Sequence, residues 1–183
     1  MYRSELLTHY SSGSKFFHWL IALLVLGMLA VGFFLDEIPD QYAATAYMVH
    51  KSLGLSILLL VILRIIWLIK SGRPPLPENV PLWEKILSRI VQYSMYLFLM
   101  LMPLSGWIMS VAADRTPSYF GFFNVPFPGV KPDKSLSDLM FEFHETIAWI
   151  LIALIALHVA GALKHHFIDR DDVLRKMLPG SNK

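Results

Sequence analysis

No cysteine occurs in the 183-residue chain. That excludes disulfides, thiolate metal sites and the C-x-x-C-H attachment of a c-type haem. Charge is scarce as well: Asp, Glu, Lys and Arg make up 16% of the residues, against about 25% in an ordinary soluble domain. The net charge is only +2 and no basic run suits a nucleic acid, so that class of partner is set aside. There is also no internal repeat and no low-complexity tract.

What is abundant is apolar residues, at 55% of the chain, with a mean hydropathy of +0.52. A bilayer span needs about 20 mostly apolar helical residues, and four segments qualify: 16–35, 42–69, 87–111 and 139–166. The expected fold is an all-α, four-helix transmembrane bundle, a single integral-membrane domain over residues 1–183. The first segment is read as a retained helix. Lys15 resembles the start of a signal peptide, but the apolar run exceeds the usual 7–15 residues, and the Ala44-Thr45-Ala46 site lies well past its end. Pro103 falls inside the third span, where it removes one backbone hydrogen bond and a kink is expected. The connection "SGRPPLPENVP" at 71–81 is a turn, and the aromatic, proline-rich loop from Ala113 to Ser137 is expected along the membrane surface. Trp19, Trp67, Trp83 and Trp107 read as interfacial belt residues.

Orientation follows from where the basic residues fall. Arg3, Lys15, Lys70, Arg73, Lys85, Arg89, Lys164, Arg170, Arg175, Lys176 and Lys183 lie on the side that carries both termini. Lys51, Arg115, Lys131 and Lys134 lie on the other, whose first loop, "DEIPDQ", is acidic. Both termini are therefore expected in the cytoplasm.

Histidines stand out against this apolar background. An ionisable side chain inside a span is costly and points to function. His9 is in a polar segment, but His18, His50, His144 and His158 lie within or at the edge of spans. His144 and His158 are fourteen residues apart, which is about 21 Å of helix with only about 40° of net rotation. They share one face of the fourth helix, one near each leaflet. By depth, His18 pairs with His158 on the inner side and His50 with His144 on the outer side. The same spacing recurs from His18 to Gly32 and from His50 to Arg64. Gly32 would leave room for a flat cofactor at the outer site, and Arg64 would meet an acidic group at the inner one. Gly54 and Gly161 would also clear space; close helix packing is the alternative for the glycines, and snorkelling for Arg64. Imidazole pairs in a bundle core suit the axial positions of haem iron. Two pairs imply two haem b groups, the inner iron on His18 and His158, the outer on His50 and His144. Zinc fits less well, because no cysteine or carboxylate completes either pair.

The motifs "FHWL", "VHKSLG", "LRIIW", "MPLSGWIMS", "FHETIAW" and "LHVAGALKHHFIDRDDVLRKMLPG" carry these residues. In them the chain resembles the prokaryotic cytochrome b561 family of four-helix, di-haem membrane proteins. The resemblance touches all four spans and the tail, and it carries the haem ligands over onto the same four histidines. It further implies a location in the bacterial inner membrane, quinone as an electron partner and, for one kind of relative, superoxide oxidase activity: superoxide oxidised on the periplasmic side and ubiquinone reduced. Many relatives have histidine where this chain has Gln92, which puts a proton or quinone contact there in doubt.

Three function classes follow: an oxidoreductase passing electrons from superoxide to ubiquinone, a relay subunit linking quinone to a partner redox protein or periplasmic donor, and a haem-free, His-lined transporter or scaffold. Lys51, Arg115, Lys131 and Lys134 are the cations available to steer superoxide; ordinary loop charges are the plainer reading. Lys164, His165 and His166 at the inner mouth are candidates for a quinone or proton site, because histidine exchanges protons near neutral pH; contact with lipid headgroups is the alternative.

Overall fold

A computed structural model describes residues 9–78 and 80–180; Arg3 and Lys183 of the charge pattern lie outside the described residues. The chain folds into four long helices: α1 (Ser12–Gly32), α2 (Asp40–Ser71), α3 (Leu82–Ala112) and α4 (Lys134–Phe167). All four are long and apolar enough to cross a membrane. The bundle is the expected one, but its helices overrun the apolar segments. α4 has 34 residues, about 51 Å at the α-helical rise, so its ends pass beyond a hydrocarbon core of about 30 Å.

Local chemistry fixes those ends. The Ser11 hydroxyl accepts from the Ser14 amide at 3.3 Å and starts α1. The Asp133 carboxylate accepts from the Leu136 amide at 3.1 Å and starts α4. Pro39 and Pro81 precede α2 and α3, where a missing N–H costs nothing. α2 stops at Gly72, whose φ of 79° is open to glycine. α1 ends at Gly32, short of the expected boundary, and a 3-10 turn at Leu35–Glu37 leads into α2. α3 stays helical through Pro103, which packs against α2 at Gly54.

Helix α1 packs on α2, α2 on α3, and α3 most extensively on α4. The tightest core is a layer of Ile21, Val25, Ile57, Val61, Leu99, Ile147 and Leu151 at mid-depth. Its α1, α2 and α4 members follow the histidines by three, seven or eleven positions, so they share the histidine faces. Side chains such as Leu23 and Ile69 point outward, 71% and 78% exposed, as a lipid-facing surface requires.

The outer loop contains a small antiparallel hairpin, β1 (Ser118–Tyr119) and β2 (Phe123–Asn124). Its tip has positive φ at Phe120 and Gly121, as a tight hairpin turn demands. The hairpin is tied down on α2. The buried Ser52 hydroxyl accepts from the Phe120 amide at 2.8 Å and lies 3.3 Å from the Ser118 carbonyl, while Tyr119 Oη meets Ser56 Oγ at 2.9 Å. On the opposite side, the N- and C-terminal segments meet: the Tyr10 amide donates to the Lys176 carbonyl at 3.4 Å. Three of the four tryptophans read as belt residues are also anchors. Trp19 donates to the Met177 carbonyl, Trp67 to Ser11 Oγ and Trp107 to the Val125 carbonyl, at 3.0, 3.0 and 2.8 Å. Trp83 is 63% exposed.

Candidate functional site

The structure brings the four span histidines together in the pairs that depth dictates. His18 of α1 faces His158 of α4 with ring centres 6.1 Å apart, and His50 of α2 faces His144 of α4 at 6.5 Å. The rings are half-buried and inclined at 62° and 64°. Two imidazoles sharing one metal ion through bonds of about 2.0 Å have ring centres roughly 6 Å apart. Both pairs therefore have the separation of an axial ligand set, and His50 Nδ1 is a buried polar atom with no hydrogen-bond partner among the described residues.

The outer site is shaped by glycines. A Cβ at Gly32 would lie 3.9 Å from His50 Cε1, so Gly32 does stand beside the outer pair. A Cβ at Gly106 would lie 2.9 Å from His144 Cε1, closer than side chains tolerate. Gly54 sits instead at the α2–α3 contact, where its Cβ would meet Pro103 at 4.0 Å, and Gly161 faces open space.

Arg64 does not snorkel. Its side chain is buried at 9% exposure, donating to the Ser14 carbonyl at 2.9 Å and to Tyr96 Oη at 3.2 Å. Both partners are neutral, and no carboxylate pairs with Arg64 among the described residues. Ser14 stands one helical turn before His18 on α1, so the guanidinium is held at the inner pair's level of the bundle without a carboxylate beside it. Gln92 has a partner of its own: it accepts from Arg73 at 3.0 Å, and that guanidinium lies over the Tyr93 ring.

At the inner mouth, Lys164 grips Glu84 of α3 at 2.6 Å and Asp169 at 3.0 Å. This joins the last turn of α4 to the first turn of α3 and complements both helix dipoles. His165 Nδ1 lies 2.7 Å from Asp171 and 3.2 Å from Asp169. Glu84, His165 and Asp169 offer ligand atoms within 4.8 Å of one another, but Lys164 already supplies their cation. His166 differs: its buried Nδ1 has no partner among the described residues.

At the outer mouth the four cations are not equivalent. Lys51, next to His50, donates to the Arg115 carbonyl at 3.2 Å. Lys131 is exposed. Lys134 is paired with Asp138 at 2.6 Å, and Asp36 is engaged by the Tyr47 hydroxyl.

Sequence reasoning missed Ser105 and Gly106 as neighbours of His144, Tyr96 and Ser14 as partners of Arg64, and the carboxylates around Lys164 and His165. The "PLSGW" motif was the available signal for the first two; the others come together only through tertiary packing.

A four-helix membrane bundle with facing imidazole pairs at two depths belongs to the class of integral-membrane cytochromes, which transfer electrons. Residues 9–180 match the family model described as prokaryotic cytochrome b561. The chain belongs to that family of haem b-binding membrane proteins. It is 34% identical to "Cytochrome b561 homolog 2" of Escherichia coli (strain K12) over 172 residues, 92% of this chain and 90% of the relative. It is 26% identical to "Cytochrome b561 homolog 1" of the same organism, over 94% of this chain and 98% of the relative. A third relative, "Probable superoxide oxidase CybB" of Yersinia pestis, is 27% identical over 88% of this chain and 91% of the relative.

Proposed function

We propose that the protein is a two-haem b cytochrome of the bacterial inner membrane that carries electrons from superoxide outside to ubiquinone within the bilayer. The chain acts as one membrane domain with both termini in the cytoplasm. The observation that carries this reading is the two histidine pairs, at ring separations of 6.1 and 6.5 Å, on opposite sides of one aliphatic layer. When bound, haem supplies a one-electron carrier at each depth. His18 and His158 hold the inner group and His50 and His144 the outer one. Gly32 and Gly106 give the outer group room. Arg64 at the inner pair favours the less positive, reduced iron and raises that potential.

Superoxide is an anion, and Lys51, next to His50, together with Arg115, whose carbonyl Lys51 reaches, supply the cationic approach. Two superoxide ions each give up one electron and leave as oxygen; ubiquinone takes the two electrons and two protons to become ubiquinol. His165, held between Asp169 and Asp171, and His166, whose Nδ1 has no partner among the described residues, are the inner groups suited to deliver protons. The 27% identity to a probable superoxide oxidase supports this choice of donor.

Stopped-flow mixing of the purified holoprotein with superoxide and ubiquinone tests it. Rapid haem reduction followed by ubiquinol formation is expected. Haems that superoxide does not reduce, but ubiquinol does, would make the protein a relay to a partner redox protein. A purified protein without haem absorbance would leave the transporter or scaffold class.

A further inference from the structure

Helix α3 supplies none of the four paired histidines, yet two consecutive residues on it address one of them. His144 Nδ1 lies 3.0 Å from Ser105 Oγ, and Ser105 Oγ also donates to the Met102 carbonyl at 2.8 Å. A hydroxyl has one proton. With that proton on Met102, which can only accept, the serine oxygen must accept from His144. The serine therefore selects the tautomer protonated at Nδ1 and leaves the Nε2 lone pair free for a metal. Ser105 is buried at 4% exposure, so water does not compete for the bond. One residue on, Gly106 lets the ring reach this position, since a Cβ there would lie 2.9 Å from Cε1 and 3.2 Å from Nδ1. No comparable bond exists at His50, whose Nδ1 is unpartnered among the described residues.

We infer that Ser105 is a positioning residue for the outer haem: through His144 it fixes the ligating tautomer and tunes that haem's potential, while Gly106 admits the ring. The inference rests on the reading of His50 and His144 as a haem pair. An acceptor on the distal N–H raises the basicity of a ligating imidazole. A more basic ligand favours the oxidised iron, so Ser105 lowers the outer potential, and its loss raises it.

The test is a potentiometric titration of purified, haem-loaded protein, followed by absorbance and by low-temperature electron paramagnetic resonance. In Ser105→Ala one of the two reduction waves is expected to move upward, with its low-spin ferric signal, and the other to stay. A threefold change in the reduction equilibrium is expected, roughly 30 mV for one electron. Ser105→Thr, which keeps the hydroxyl, should restore the wild-type wave. Gly106→Ala should broaden or remove the signal of the same haem. Unmoved waves in Ser105→Ala, or equal movement of both, would overturn the inference. If the alanine variant does not accumulate, Ser105→Cys, a similar side chain with a weak acceptor, is read by the same criterion. A wild-type protein with no haem, or with one, would instead overturn the reading beneath it.

Discussion

His18, His50, His144 and His158 could be paired from the sequence because helix periodicity and depth are both one-dimensional properties. Their contacts could not. Ser105 and Gly106 read as an unremarkable helical dipeptide until α3 is laid against α4. Arg64 could be assigned to the inner level but not to burial, because snorkelling and burial give the same sequence. Its neutral partners, Ser14 and Tyr96, make its charge available to the inner pair. Arg64→Gln is expected to lower one reduction potential by about 59 mV, a tenfold change for one electron, and to leave the other in place. An unchanged titration would remove the electrostatic role. Replacing a single ligand is more drastic. His158→Ala should cost the inner haem and His144→Ala the outer one, each leaving about half the wild-type haem absorbance, measured on equal amounts of protein.

Among the elements, the helices were the most legible and their ends the least. Apolar runs mark the part of a helix inside hydrocarbon, whereas Ser11, Asp133 and Gly72 set where the hydrogen-bonded backbone stops. The outer hairpin was read only as an aromatic surface loop, because its anchor, Ser52, lies more than sixty positions from Ser118 and Phe120. Ser52 is fully buried and also reaches the Met48 carbonyl at 2.7 Å. Ser52→Ala leaves the Phe120 amide without that acceptor, a cost of about 1–3 kcal/mol. Faster hydrogen exchange over residues 117–125, with the helical core unchanged, is the expected result. The mid-depth layer from Ile21 to Leu151 occupies the same helix faces as the histidines. It packs the helices together between the two histidine pairs.

For the whole molecule, composition alone pointed to a membrane protein, and four helices long and apolar enough to span one agree with it; the basic residues carry the proposed orientation. The structure adds that the segment before α1 and the start of α1 meet the segment after α4, through Tyr10, Trp19, Lys176 and Met177. It also sorts the outer cations: Lys51, next to His50, is held to the Arg115 carbonyl, and Lys134 is paired with Asp138. Sequence position could not make that distinction, because it turns on which carboxylate each side chain reaches. The reaction with superoxide should slow as ionic strength rises, and a Lys51→Gln/Arg115→Gln double variant should lose most of that salt dependence. A rate indifferent to salt in the wild type would discard steering. The redox and superoxide predictions presuppose two iron centres at two depths. Haem content per chain, measured on purified wild-type protein and on a variant lacking His50 and His144, tests that most directly. Two haems falling to one are expected; a colourless wild-type protein, or a variant that still holds two, would contradict it.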